Sequence, residues 1–268
     1  MHEASVVILN YNGGPLLREV VEAVLSCQTL QLGVVVVDNG SSDGSLQPID
    51  DLARNCADGR VLVLRTGANL GYAKGNNIGI GAQQARYYVL LNPDAVVEEG
   101  TLRALVTFMD NVTGAAICAP RLSWPDGTPQ PYSYGSDPSP LYMLRRALAR
   151  RAGATLHSWN GAAPMEVDWV AGTCMVIRAE ALSVIGLLDE RIFMYFEDND
   201  LCLRARKAGW QVYFVPTFAV RHHNKPSYAD RVRQTNYMKG LALFYDRHYG
   251  RIPGGAIRLL ARLRSIRA

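Results

Sequence analysis

Three short runs in this chain carry side chains that could do chemistry. Glu197-Asp198-Asn199-Asp200 places three acids in four positions, directly after the apolar Phe193-Met194-Tyr195-Phe196. Carboxylates at a helix start satisfy orphan N–H groups and meet the positive end of the dipole, which accounts for one or two acids. The rival reading is catalytic: apolar neighbours raise a carboxylate's pKa and make it a better base. Asn92-Pro93-Asp94 closes another apolar run. A carboxylate there can hold Mg²⁺ or Mn²⁺ through oxygen, and such an ion would bridge two phosphates of a nucleotide diphosphate. The same tripeptide is also common turn chemistry. Asp38 follows Val34 to Val37, where it could accept hydrogen bonds from a ribose or base edge, or simply end a strand.

These side chains need a scaffold, and the apolar pattern supplies one. Short apolar runs at 6–9, 34–37, 61–64, 88–91 and 115–119 read as buried strands. Between them, helical spacing predicts helices over 15–25, 45–53, 78–85 and 98–109. Uniformly apolar strands alternating with amphipathic helices imply an α/β fold, a mostly parallel sheet covered on both faces. The polar, glycine-rich runs 10–14, 38–44, 69–77 and 92–94 all follow strand ends. In such sheets ligands bind beyond the carboxyl ends of the strands, so four loops converge on one cleft.

Beyond residue 120 the pattern is less regular. Six prolines fall between Pro120 and Pro140, with a hairpin expected at Pro125-Asp126-Gly127. A basic helix is expected over 141–152, a strand region over 167–177, a short helix over 179–185, a helix over 198–208 and a strand over 212–215 before Pro216. The organisation expected is a nucleotide-binding half, 1–120, and an acceptor-binding, catalytic half, 121–250, of one domain, then a basic amphipathic tail, 251–268.

Composition excludes several classes. Apolar residues are 49% and charged residues 19%, which suits a folded chain. No run approaches the ~18 uncharged apolar residues of a spanning helix. The N-terminal MHEASVVILNYNGG has an acid where a signal peptide needs positive charge. Five scattered cysteines with no C-x-x-C pair exclude a disulfide scaffold and suit a reducing compartment. The expected location is therefore cytoplasmic, peripheral at the inner face of the cell membrane. Net charge is +4, but the last 18 residues hold five arginines and no acid; without them, 23 basic residues face 24 acidic ones. A second basic island, Arg145, Arg146, Arg150 and Arg151, lies where no acid occurs between Asp137 and Glu166. Localised basicity points to an anionic membrane surface or ligand rather than nucleic acid, the rival being two solvated helix faces. The dinucleotide fingerprint and the P-loop are both absent after the first strand.

Taken in order, the motifs resemble a known family. They are Val7-Ile8-Leu9-Asn10-Tyr11-Asn12-Gly13, Val37 to Gly44, Asn69 to Asn77, Leu91-Asn92-Pro93-Asp94, Gly172-Thr173, Phe196 to Arg204 and Val220-Arg221-His222. The chain is similar over residues 4–230 to the family 2 inverting glycosyltransferases of GT-A fold, most of all their rhamnosyltransferase-like branch. The resemblance implies a nucleotide-sugar donor, dTDP- or UDP-linked, and a glycan or lipid-linked acceptor. It assigns Asp38 to the base or ribose, with Asn10, Asn39 and Asp43 shaping that site. It puts Lys74, Asn77 and Asn92 beside the donor. Asp94 becomes the aspartate of the metal motif, with Asn92 in place of its usual first aspartate and His222 as a further metal or diphosphate ligand. Asp198 becomes the general base, with Glu197, Gly172, Thr173 and Trp169 near the sugar or acceptor. Core packing remains the rival role for Trp169, and capping is the role expected of Asp200. Rival functions are a nucleotidyltransferase, which would want a basic loop after the first strand where residues 10–14 have none, and a binding module without turnover, which need not retain both Asp94 and Asp198.

Overall fold

The computed structural model describes residues 2–56, 59–157, 159–223 and 229–266, with side chains through 261. The chain begins with β1 (His2–Asn10), α1 (Leu16–Leu25), β2 (Leu32–Asp38), α2 (Gln47–Asn55), β3 (Val61–Arg65), α3 (Tyr72–Ala82) and β4 (Ala85–Leu91). It continues through β5 (Ala95–Val97), α4 (Thr101–Asn111), β6 (Ala115–Ser123), β7 (Tyr134–Gly135) and α5 (Pro140–Arg151). Then follow β8 (Met165–Glu166), β9 (Trp169–Val170), β10 (Cys174–Arg178), α6 (Ala179–Ile185), α7 (Glu197–Lys207), β11 (Gln211–His222), α8 (Asp230–His248) and α9 (Arg251–Ile266).

The central sheet runs β3-β2-β1-β4-β10-β6-β11-β5, with β8 on the side of β11. The first four strands are parallel, in register through Val6↔Val34 and Val34↔Val61. Strand β10 is antiparallel to both β4 and β6, and β11 is parallel to β6. Strands from both sides of residue 120 thus build one sheet. Side chains alternate across it. Val6, Ile8, Val34 and Val36 pack with α1 and α4, whereas Val7, Leu9, Val35 and Val37 face the core beneath α3 and α7. Every one of these eight is buried, so both faces are apolar and the strands read as continuous runs.

Several elements differ from the sequence expectation. Helix α3 starts at Tyr72, not Ile78, so Lys74 and Asn77 lie on a helix rather than a loop. Its glycines hid it: a Cβ on Gly75 would meet Leu9 Cδ1 at 2.3 Å and one on Gly79 would meet Val7 Cγ1 at 2.3 Å. Close approach to the sheet, not propensity, makes this helix. Strand β11 runs past Pro216 to His222, with a register shift between Val215 and Ala219 that accommodates the missing N–H. The strand region over 167–177 divides into β9 and β10. Helix α8 has no counterpart in the periodicity, because its buried residues, Gly240, Leu241, Ala242, Phe244 and Tyr245, are confined to its second half.

The hairpin at 125–127 is present: Trp124 N donates to Thr128 O at 2.8 Å, and Gly127 turns with φ +85°. The tail is helical. Ile257 packs inward against the Phe196–Phe244 cluster, leaving Ile252, Leu259 and Leu260 exposed. The side chains of 262–268 and the whole of residues 224–228 lie outside the description.

Candidate active site

The carboxyl ends of β1 and β2 form the first part of the site. Asn10 is fully buried, and its Nδ2 reaches Asp38 Oδ1, Ser41 Oγ and Ser45 Oγ, each at 3.0 Å. Its Oδ1 accepts from Gly13 N at 3.1 Å, and a Cβ on Gly13 would lie 3.2 Å from Pro93. Asn10 therefore clamps the 38–45 loop to its own, and Gly13 brings that pair against Pro93. Asp38 is buried, with Oδ2 accepting from Ser41 N at 3.3 Å. Asp43 is exposed at the loop tip and accepts from Gly14 N at 2.8 Å and Ser45 Oγ at 2.6 Å. Slight burial pushes its carboxyl up, but these hydrogen bonds outweigh that and hold it below the usual range. Asn39 joins the next loop, donating to Asn69 Oδ1 at 3.0 Å and accepting from Leu70 N at 2.9 Å.

Sheet pairing brings the 92–94 turn to His222. The antiparallel pairing of β5 with β11 sets His222 opposite Ala95, one residue from Asp94. Asp94 and His222 are both buried, and Asp94 Oδ1 lies 3.4 Å from His222 Nε2. Gln130 fixes the imidazole. Its Nε2 donates to His222 O at 2.7 Å, which orients the amide so that its Oε1 faces His222 Nδ1 at 2.8 Å. That contact turns the ring so that Nε2 faces the Asp94 carboxylate. A carboxylate oxygen and an imidazole nitrogen this close together could share a cation between them. An oxygen and an imidazole are suitable Mg²⁺ or Mn²⁺ ligands. Among the described residues no third His, Cys, Asp or Glu joins them, so substrate oxygens and water would complete the shell.

The acids lie where β10 meets β4. Asn92 N donates to Thr173 O at 2.9 Å, docking the 92–94 turn on the segment before β10. Gly172 N donates to Asp198 Oδ2 at 3.1 Å, and Gly172 O accepts from Tyr72 OH at 2.6 Å. A Cβ on Gly172 would sit 2.8 Å from that hydroxyl, so only glycine fits. The loop before α7 is strained: Tyr195 and Phe196 both have positive φ, +69° and +74°. Tyr72 N holds this loop through Phe193 O at 2.7 Å, and Gly240 of α8 leaves room for the Tyr195 carbonyl.

The three acids of this run have different environments. Asp200 is fully buried and accepts from Arg204 at 2.8 Å and His248 at 2.7 Å, with Arg247 Nη1 at 3.3 Å. Burial alone would raise its carboxyl, but these partners outweigh it and hold Asp200 below the usual range. The capping role expected of Asp200 is therefore incorrect; it ties α7 to α8 by an ion cluster. Glu197 is buried, its Oε2 has no hydrogen-bond partner, and burial beside Asp198 pushes its carboxyl well up. Asp198 is half-buried. Burial raises it, and N–H bonds from Gly172 and Asn199 oppose that rise. Of the three, Asp198 alone combines access with an oriented carboxylate.

The remaining predicted residues are placed unevenly. Lys74 is exposed in the first turn of α3. Asn77 is buried and holds Leu188 O at 2.9 Å, Glu190 Oε1 at 3.1 Å and Leu188 N at 3.1 Å. Its amide thus fastens the 188–190 loop. Trp169 is half-buried over Gly135, with its indole N–H on Ser136 O at 2.9 Å, which serves packing. Gln130, Tyr72, Arg247 and His248 went unnoticed in the sequence, since each acts on a residue far along the chain.

The chain is similar to known proteins in sequence and in fold. The family described as glycosyltransferase like family 2 matches residues 2–236. An N-acetylglucosaminyl-diphospho-decaprenol L-rhamnosyltransferase of Mycobacterium tuberculosis is 32% identical over 240 residues, covering 83% of this chain and 76% of its own. A low-salt glycan biosynthesis hexosyltransferase of Haloferax volcanii is 28% identical, covering 92% of this chain and 73% of its own. Among solved structures, a mannosyltransferase of Pyrobaculum calidifontis, in complex with GDP-Man and Mn²⁺, superposes with a TM-score of 0.64 at 16% identity. That likeness covers 92% of this chain, which spans 64% of the mannosyltransferase, and it carries the fold alone. With its matched family, its rhamnosyltransferase relatives and its GT-A architecture, the chain belongs to the glycosyltransferases of family 2.

Proposed function

We propose that the protein is an inverting, Mg²⁺- or Mn²⁺-assisted glycosyltransferase that moves rhamnose from dTDP-rhamnose to a hydroxyl of a lipid-linked glycan. One observation supports this most: Gly172-Thr173 couples the two chemical groups, with Thr173 O on Asn92 beside Asp94 and Gly172 N on the Asp198 carboxylate. Asn92 and Gly172-Thr173 lie at one end of the β4–β10 pair, which supports putting the base and the diphosphate side by side.

Residues 1–120 hold the donor and 121–250 the acceptor. Asp38 and Asn39 receive the nucleoside, in loops that Asn10 and Asp43 shape. Lys74 lies toward the diphosphate, and Asn77 secures the floor behind it. Asp94 and His222 would hold the divalent ion, with Asn92 beside them, and that ion would neutralise charge on the departing diphosphate. Asp198 takes the proton from the acceptor hydroxyl as its oxygen bonds the anomeric carbon and the bond to the diphosphate breaks. Attack opposite the leaving group inverts the centre in one step, without a covalent intermediate. Glu197, Gly172 and Thr173 border the sugar, and Trp169 supports them from behind. The rhamnosyltransferase relative is named for N-acetylglucosaminyl-diphospho-decaprenol, which favours a lipid-linked acceptor here.

No helix among the described residues is long and apolar enough to cross a membrane. The tail, 251–268, would contact an anionic membrane surface through Ile252, Leu259 and its arginines, keeping the enzyme at the cytoplasmic face. A panel of dTDP-, UDP- and GDP-linked sugars, screened by thermal shift and slow hydrolysis with Mn²⁺ present, tests the donor. Stabilisation by dTDP-rhamnose above the others is expected; a preference for a UDP- or GDP-linked hexose would reject rhamnose, and no response to any would reject the donor site.

A further inference from the structure

Helix α5 presents a surface that the glycosyl-transfer site does not use. It is a well-formed helix: Ser139 caps it, accepting from Tyr142 N at 3.2 Å, and Pro140 occupies the first turn. At about 100° per residue, Leu141, Leu144 and Leu148 form one stripe. They are 66%, 57% and 55% exposed, more than half in every case. Arg145 and Arg151, both exposed, stand on either side of the stripe. The opposite face is already occupied. Tyr142, Met143, Arg146 and Ala149 are half-buried, and the Arg146 guanidinium lies over the Tyr132 ring at 5.4 Å. The leucines are thus outward-facing on a helix that has found its packing partner, and no acid occurs from residue 138 to 165.

We propose that the Leu141-Leu144-Leu148 stripe, with Arg145 and Arg151, docks the protein on an anionic bilayer surface. Leucines would enter the acyl boundary while the flanking guanidiniums meet lipid phosphates. Charge complementarity selects this occupant. A second copy stacked on the same stripe would bring arginines together with no acid to pair them. A nucleic acid would match the arginines but leave the leucine stripe uncovered.

The place of α5 gives the contact a purpose. Tyr245 OH on α8 holds Pro138 O, just before the helix, at 2.7 Å. Tyr237 of the same α8 packs on Phe196 with ring centroids 4.9 Å apart, and Phe196 precedes Glu197. A bilayer under α5 would therefore lie beside the acid-bearing loop. This service to a lipid-borne acceptor rests on the glycosyltransferase reading, whereas the docking itself does not.

The test uses the full chain without donor, sedimented with vesicles of equal parts phosphatidylglycerol and phosphatidylcholine, and with pure phosphatidylcholine. Wild type is expected to bind the anionic vesicles preferentially. The triple variant Leu141→Gln, Leu144→Gln, Leu148→Gln should lose at least about tenfold in partitioning, and Arg145→Glu with Arg151→Glu should reduce the preference for anionic lipid, the tail's arginines retaining the remainder. All the replaced side chains are exposed, and unchanged circular dichroism would confirm folding. Variants that bind as tightly as wild type would overturn the proposal. So would a concentration-dependent dimer that the leucine variant abolishes while vesicle binding persists. Because no transfer is measured, failure of the sugar-transfer reading would leave this result standing.

Discussion

Gln130 decides which nitrogen of His222 faces Asp94. Its amide grips the histidine twice, on the backbone oxygen at 2.7 Å and on Nδ1 at 2.8 Å, across 92 positions of sequence. Asp94, on the other side of the ring, meets Nε2. The histidine is thereby turned with Nε2 toward the 92–94 turn, an orientation suited to a metal or diphosphate contact.

Replacing Gln130 with Leu should weaken Mn²⁺-dependent binding of a nucleotide diphosphate by about 10–100-fold, the usual effect of removing an outer partner. Asp94→Ala should abolish the metal-dependent component. Calorimetry with and without Mn²⁺ checks both, and wild-type affinity in Asp94→Ala would remove that carboxylate from the site.

Asp198→Asn retains shape and removes the proton acceptor. Turnover should fall by about 10²–10⁴-fold, with donor affinity little altered, because the base acts on the acceptor. Steady-state rates at saturating donor and acceptor measure this. If Asp198→Asn turns over normally and Glu197→Gln does not, Glu197 is the base.

Asp200 and Glu197 should affect stability with opposite signs. Asp200 titrates below its unfolded value, so its stabilisation is full at neutral pH and fades as pH falls through and below the ordinary aspartate range near ~3.9. Asp200→Asn leaves Arg204 and His248 without their buried partner and should cost about 3–5 kcal/mol at pH 7. Glu197 titrates above its unfolded value, so the folded state loses stability as pH rises from near ~4.3 toward the raised value. Glu197→Gln removes that loss and should raise the melting temperature at pH 7. Thermal melts of both variants from pH 4 to 8 would show parallel curves if these environments were misassigned.

The tail should divide by face. Ile257→Ala loosens the Phe196–Phe244 cluster and should lower stability by about 1–2 kcal/mol, in keeping with a partly buried truncation. Ile252→Gln with Leu259→Gln, both on the exposed side, should leave stability unchanged and reduce vesicle binding. Denaturation and sedimentation separate the two; equal loss of stability in both would mean that α9 is packed all round.

Much of the first half of the chain is written in local pattern. Val6 to Leu9 and Val34 to Val37 are apolar at every position because both faces of their strands are covered, and Asn10, Asp38 and Asp94 follow where those strands and β4 end. The acidic run at 197–200 is equally visible. Local pattern could not rank its three acids, because their partners come from elsewhere: Gly172 for Asp198, and Arg247 and His248 of α8 for Asp200. It also missed the start of α3, whose glycines are explained only by Leu9 and Val7 beneath them. The insertion of β10 between β4 and β6, and the pairing of β11 with β5, place Gly172 on Asp198 and His222 on Asp94. Hydrophobic periodicity reports which face of an element is buried, and that is a property of neighbours in sequence. Which buried faces and strand edges meet is settled by packing and backbone pairing across the whole chain, and the chemistry of this site depends on those meetings.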